Sequence, residues 1–180
     1  MNEYYKNIPS EDMFDFEAFY DMIANGLPDG ARVVEIGVSN GRSLVYLASK
    51  IRSLGKTARV IGIDNMDYGR AEQRNEIINH IIKSGEEIEL LEMSSLDAST
   101  KFPDGYFDFI FIDSSHKYEQ TKAEIILWNR KLNDNKILAG HDYNFNEGKD
   151  VLEAVNEIIG TDNVITFGTR NEFHVWYKIK

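Results

Sequence analysis

The chain has no cysteine, which excludes disulfides and thiolate metal sites and leaves the redox compartment open. No apolar run approaches the roughly 20 residues that span a bilayer, so no membrane association is expected. The opening stretch, MNEYYKNIPSEDMF, has neither a basic n-region nor an apolar h-region, and is not expected to be a signal peptide. Basic residues are in the minority, 20 Lys plus Arg against 30 Asp plus Glu, for a net charge of −10. That balance argues against a phosphate-backbone footprint, and hence against nucleic acid as substrate. There is no internal repeat, low-complexity tract or linker. The expectation is one cytoplasmic domain over residues 1–180, with 1–27 as an N-terminal helical segment.

What the chain does contain is alternation. Phe16, Phe19, Tyr20 and Ile23 form a helical stripe that ends near Gly26, and Pro28-Asp29-Gly30 reads as a turn. A strand at 32–38 is followed by a helix at 42–54, and RVIGID (59–64) reads as a second strand. Residues 70–84 carry Ile77, Ile78, Ile81 and Ile82 at helical spacing, stopped by Gly85. EIELLEM (87–93) and FDFIFID (107–113) read as strands three and four. A helix over 117–132 leads into a short fifth strand, KILAG (136–140). Val151, Leu152, Val155, Ile158 and Ile159 mark another helix, and the runs 163–168 and 173–179 read as a closing hairpin. The pattern predicts an α/β protein. Its sheet would be doubly wound, Rossmann-like and mostly parallel, with seven strands, helices on both faces and a C-terminal antiparallel hairpin.

Ligands in such sheets bind at the carboxyl ends of the strands. The residues there are rich in carboxylates and imidazoles: Glu35 to Gly41, Asp64, Met93 to Asp97, Asp113 to His116, and His141 to Tyr143. VVEIGVSNGRS (33–43) is the most informative stretch, a strand running through a glycine turn into a helix. Gly37 and Gly41 allow positive φ and admit a ligand where a Cβ would block it. Glu35 would repel a pyrophosphate and hold a cationic or amine-bearing ligand. Asp64 is placed either to hold a ribose diol or to cap the next helix. Ser95 and Asp97 are placed either for ligand contact or as ordinary turn and N-cap residues. Trp128 and Trp176 read as core, and His80 and His174 as structural.

Taken together, these motifs resemble a class I S-adenosylmethionine-dependent methyltransferase along the whole chain. Glu35-Ile36-Gly37-Val38-Ser39-Asn40-Gly41 resembles the family's acidic-x-Gly-x-Gly-x-Gly motif, with Ser39 in place of the middle glycine. Phe-Ile-Asp-x-x-His-x-Tyr after strand four and Gly-His-Asp-Tyr after strand five resemble a subgroup similar to metal-dependent sugar O-methyltransferases.

The resemblance implies a donor site of Glu35, Gly37, Ser39, Gly41, Ser43, Asp64, Asn65, Ser95 and Asp113. S-adenosylmethionine would be bound there, with S-adenosylhomocysteine as product. It implies a divalent ion, Mg or Mn, on Asp113, His141 and Asp142. His141 stands where the sugar enzymes usually carry another acidic residue. A softer ligand set, favouring Mn, Fe, Ni or Zn over Mg, or no metal at all, follows from that departure. His116 matches the general-base position. The acceptor would be a small molecule bearing a hydroxyl, and a homodimer is an allowed assembly. Two other readings stay open. One is an NAD-type dinucleotide oxidoreductase, since Asp64 suits an NAD ribose, although G-x-G-x-x-G spacing is absent. The other is a donor-binding protein without methyl transfer, or one with hydrolase-like metal chemistry.

Overall fold

Two interleaved apolar patterns build the sheet. In β1 (Ala31–Ile36), Val33 packs into one core cluster while Val34 and Ile36 pack into another on the opposite face. In β4 (Phe107–Ile112), Phe109 and Phe111 join the first cluster, and Ile110 and Ile112 the second. This is the period-2 geometry of a strand covered on both sides. The register slips between Phe107 and Phe109, and Phe107 falls in the second cluster despite its odd position. The structure is a computed structural model that describes residues 3–9, 14–66, 71–143, 149–168 and 175–180, with side chains 71–73 excepted.

β2 (Ala58–Asp64), β3 (Ile88–Glu92), β5 (Leu132–Gly140), β6 (Ile165–Phe167) and β7 (Val175–Ile179) complete a seven-stranded sheet in the order β3-β2-β1-β4-β5-β7-β6. β7 pairs antiparallel with both β5 and β6, so it alone runs against the other strands. The expected terminal hairpin is therefore present, with its second strand inserted next to β5. Thr169-Arg170-Asn171-Glu172, which separates the two runs of that hairpin in the sequence, and His174 lie outside the described residues.

Helices α1 (Glu17–Gly26), α2 (Arg42–Ser53) and α3 (Ala71–Ser84) bury their apolar stripes on one face through Phe19, Tyr20, Leu44, Leu47, Ile51 and Ile77. Helices α4 (Ser95–Ser99), α5 (Tyr118–Lys131) and α6 (Asp150–Ile159) cover the other face, with Trp128 and Trp176 fully enclosed. No helix among the described residues is long and apolar enough to cross a membrane.

Two elements differ from the sequence-based expectation. β5 begins at Leu132 rather than at Lys136. Asn133-Asp134-Asn135 reads as turn chemistry, and Asn135 does take a positive φ of 60°. Yet Leu132 pairs with Phe107, and the Asn135 amide donates to the Lys180 carbonyl, so neighbouring strands extend the element. α4 was not expected at all. Its five residues follow the N-cap Ser94, whose Oγ accepts from the Asp97 amide at 3.1 Å and donates to the Asp97 carboxylate at 2.7 Å. Asp97 is thus a capping residue and does not line the cavity described below.

Candidate active site

The parallel strands β1, β2, β3, β4 and β5 deliver their carboxyl ends to one edge, and a cavity of about 750 Å³ opens there. That volume suits a ligand of drug size. Gly37, Ser39, Ser43, Asp64, Asn65, Ser95, Asp113, His116, His141 and Asp142 all line it. Of the residues expected in the site, only Glu35 and Gly41 are off the lining.

Glu35 lies beneath the glycine turn, 2 % exposed. Its Oε2 accepts from the Tyr20 hydroxyl and its Oε1 from Ser43 Oγ, each at 2.6 Å. Burial, together with the adjoining Glu35 charge, raises the Tyr20 hydroxyl well above its ordinary value, so Tyr20 stays a donor. Glu35 therefore places a negative charge under the turn, and Ser43 carries that polarity to the cavity wall.

Gly37 has φ of 86°, as expected, but the reason it must be glycine differs from the expectation. A Cβ there would sit 1.8 Å from the Asp113 carbonyl oxygen, so the missing side chain clears the β4 backbone rather than a ligand. Gly41 takes φ of 83° as the residue before α2, and a Cβ on it would meet nothing closer than Ile77 at 3.6 Å. Its role is backbone conformation. Ser39, the residue that departs from the glycine motif, still adopts φ of 46°.

Asp64 closes β2. Its Oδ2 accepts from the Val38 amide and its Oδ1 from the Met66 amide, each at 2.8 Å. Those bonds fix the carboxylate against both flanking loops. The residue itself lies on the cavity lining.

At the other end, Asp113, His141 and Asp142 bring one ligand atom each within 4.8 Å of one another. His116 joins them: its Nε2 is 2.8 Å from Asp142 Oδ2 and 4.0 Å from Asp113 Oδ1. His141 Nδ1 is 3.3 Å from Asp142 Oδ1, and its Nε2 is 3.1 Å from Asp15 Oδ1. Phe16 packs on the His141 ring, with centroids 5.0 Å apart. Asp142 itself takes a left-handed φ of 60°, a backbone cost typical of residues held in place for a purpose.

The electrostatics follow from this packing. Burial works against the His141 cation, but hydrogen bonds to Asp142 and Asp15 and the charges of Asp113 and Asp142 outweigh it, and its pKa is pushed up to about 10. Burial likewise opposes the Asp142 charge, yet bonds from His116 and His141 hold its carboxyl well below the usual range. His116 is raised, chiefly by its bond to Asp142. Asp113 is pushed up to about 6, first by burial, with the His141 charge opposing and the Asp142 charge reinforcing the shift.

The Asp113 value sets a prediction. Its folded pKa lies above that of an unfolded aspartate, near 4. Its contribution to stability is therefore complete below about pH 4 and is lost as pH rises through about 6. In metal-free protein, Asp113→Asn is expected to raise stability at pH 7.5 by roughly 1–2 kcal/mol, reduced from the full shift by partial exposure and shared charge. The gain should vanish near pH 4. Urea unfolding at the two pH values checks this, and a loss of stability at pH 7.5 would contradict it.

Several site residues were missed from the sequence. Asp15 and Phe16 reach His141 from 126 and 125 positions away, beyond any local pattern. Gln120 and Glu124 of α5 line the cavity, and Glu124 is fully buried. Its signal was present: Glu124 lies on the buried stripe Thr121, Glu124, Ile125, Trp128, where an apolar residue is usual.

Comparison with known proteins defines the class. The family model for a methyltransferase domain matches residues 34–143, more than half of the chain, and the protein belongs to that family. No curated protein matches it. Among solved structures, the chain is similar to the S-adenosylhomocysteine-bound methyltransferase PaMTH1 of Podospora anserina. The TM-score is 0.74 at 14 % identity, covering 99 % of this chain and 86 % of that one. It is similar to the TDP-rhamnose 3′-O-methyltransferase CalS11 of calicheamicin biosynthesis, with a TM-score of 0.69 and 17 % identity over 96 % and 81 % of the two chains. It is also similar to an rRNA methylase from Streptococcus thermophilus, with a TM-score of 0.65 and 18 % identity over 91 % and 95 %. At these identities the likeness establishes the fold, and the acceptor has to be argued from the site.

Proposed function

We propose that this protein transfers a methyl group from S-adenosylmethionine to a hydroxyl of a small-molecule acceptor, with residues 1–180 acting as one methyltransferase domain. The observation that carries the reading is the continuity of one cavity. It runs from Asp64 and Ser95, past the glycine turn over Glu35, to the carboxylate–imidazole group at the ends of β4 and β5. Asp64, a carboxylate on the cavity lining at the end of β2, is placed to accept from the ribose hydroxyls. Ser43, backed by Glu35, faces the amino-acid part of the donor. The buried carboxylates supply negative charge near a sulfonium cation. The strongly acidic chain favours a small acceptor over a polyanion. A dinucleotide reading fares worse, because Glu35 sits under the turn where a pyrophosphate would lie.

In the transfer, the acceptor oxygen attacks the methyl carbon in line with the C–S bond. That bond breaks, the sulfonium becomes a thioether, and the hydroxyl proton has to leave. His116 is placed to take it. Asp142 holds the ring through Nε2 and supports the imidazolium that forms, as an aspartate does for a catalytic histidine.

Asp113, Asp142 and His141 form a donor set that fits a divalent ion, two carboxylates and an imidazole converging within 4.8 Å. Bound there, the ion would lower the pKa of an acceptor hydroxyl. His141 would first have to release its proton, so ion affinity is expected to rise with pH.

Titration calorimetry tests the donor site. S-adenosylmethionine and S-adenosylhomocysteine are expected to bind, and NAD is not. Asp64→Ala should weaken binding by roughly 1.5–3 kcal/mol, the scale of hydrogen bonds to a charged group. Binding of NAD without the sulfonium donor would overturn the reading.

A further inference from the structure

Glu124 is a fully buried carboxylate on the cavity wall with no part in the chemistry above. Its Oε1 accepts from Ser95 Oγ at 2.5 Å and from Gln120 Nε2 at 2.9 Å. Ser114 Oγ donates to the same carboxylate, 2.8 Å from each oxygen. Gln120 Nε2 also donates to Ser95 Oγ at 3.1 Å.

The chemistry of the carboxylate settles every direction in this group. It only accepts, so both serine hydroxyls must turn their hydrogens toward it, and the Gln120 amide must present its nitrogen. The donors of all three neighbours are then spent inward. What remains for the cavity is acceptors: lone pairs on Ser95 and Ser114 Oγ, and the Gln120 carbonyl. Among the described lining residues Lys117 is the only lysine or arginine, and it is exposed.

We infer that Glu124 is a specificity-determining, positioning residue: by turning three side chains inward it builds an acceptor wall that selects a 6-amino purine over a 6-oxo purine. This rests on the donor reading proposed above. With the ribose diol on Asp64 at the end of β2, the base extends toward Ser95, which follows the neighbouring strand β3. The exocyclic amine of adenine donates to such a wall. A 6-oxo group would set oxygen against oxygen.

The test is calorimetric titration with S-adenosyl-L-homocysteine and with S-inosyl-L-homocysteine, which differs at position 6 and by the proton on N1. The wild-type protein is expected to bind the inosyl compound roughly 10–100-fold more weakly, the cost of leaving buried polar groups unmatched. In Glu124→Gln the new amide donates to one of its neighbours, so a hydroxyl is released to turn outward. The ratio should fall below about fivefold. A purely structural role would weaken both ligands together and leave the ratio unchanged. If Glu124→Gln does not fold, Gln120→Ala, which removes the outward carbonyl, should lower the ratio instead. Equal binding of both ligands by the wild type, or an unchanged ratio in a folded variant, overturns the inference alone. No binding of S-adenosylhomocysteine at all overturns the methyltransferase reading, and this inference with it.

Discussion

Gly37→Ala is expected to destabilise the protein by on the order of 3–5 kcal/mol and to abolish donor binding. Two costs add at this position. The backbone sits at φ of 86°, a conformation that disfavours any Cβ by about 1–2 kcal/mol. The larger cost is collision. The Cβ would lie 1.8 Å from the Asp113 carbonyl oxygen, 2.5 Å from its carbon and 2.8 Å from Ser114 Cα. These are backbone atoms, so no side chain can rotate away. Relief requires β1 and β4 to separate where the Asp113 amide donates to the Ile36 carbonyl at 2.7 Å. That separation would also displace Asp113 from the cavity. Gly30→Ala supplies the control, since Gly30 has φ of 74° and open space around its Cβ position. It should lose only the conformational cost. Chemical denaturation of the three proteins, with calorimetry on S-adenosylhomocysteine, checks both effects. If Gly37→Ala loses no more than Gly30→Ala, the close approach of the two strand ends is wrong.

The Gly37 case shows what kind of information the chain sequence holds. That glycine was needed after the first strand was legible from Glu35-Ile36-Gly37, but the atom it makes room for was not, because Asp113 is 76 positions away. The sheet was legible for a related reason. The run Phe109-Ile110-Phe111-Ile112 is apolar on both faces, and only burial on two sides accommodates that. β5 was read too short because Asn133-Asp134-Asn135 carries local turn chemistry, yet Leu132 before it pairs with Phe107 and the Asn135 amide donates to the Lys180 carbonyl. α4 was missed because five residues hold too little periodicity, although Ser94 and Asp97 at capping-box spacing were there to read.

The site was legible as a set of residues and illegible as a network. Asp64, Asp113, His116, His141 and Asp142 end strands, and topology brings strand ends together. Some of the partners are long-range. Tyr20 under Glu35, and Asp15 against His141, come from the segment before β1, whose path over the sheet no local pattern encodes. Glu35 was expected to touch the ligand. The structure places it off the cavity lining, with its two oxygens accepting from Tyr20 and Ser43.

His116→Ala is expected to cut turnover by about 10²–10⁴ while donor affinity stays within a factor of about two, the range for a lost general base. His116 follows β4 with its side chain half exposed on the cavity lining, where an acceptor has access. Its Nε2 is held 2.8 Å from Asp142 Oδ2, which fixes the ring. His141 is built for something else. It is 7 % exposed, tied to Asp15 and Asp142 at its two nitrogens and packed on Phe16, so it has no comparable path to an acceptor. His141→Ala should therefore weaken divalent-ion binding and loosen the 14–16 segment, both of which calorimetry and limited proteolysis report. Because a base acts only when neutral, wild-type turnover should rise with pH through the His116 titration, and His116→Ala should lose that limb of the profile. Single-turnover methyl transfer to an accepted hydroxyl compound, followed from pH 5 to 9, separates the two histidines. Turnover in His116→Ala within threefold of wild type, with the low-pH limb intact, would remove His116 from the chemistry.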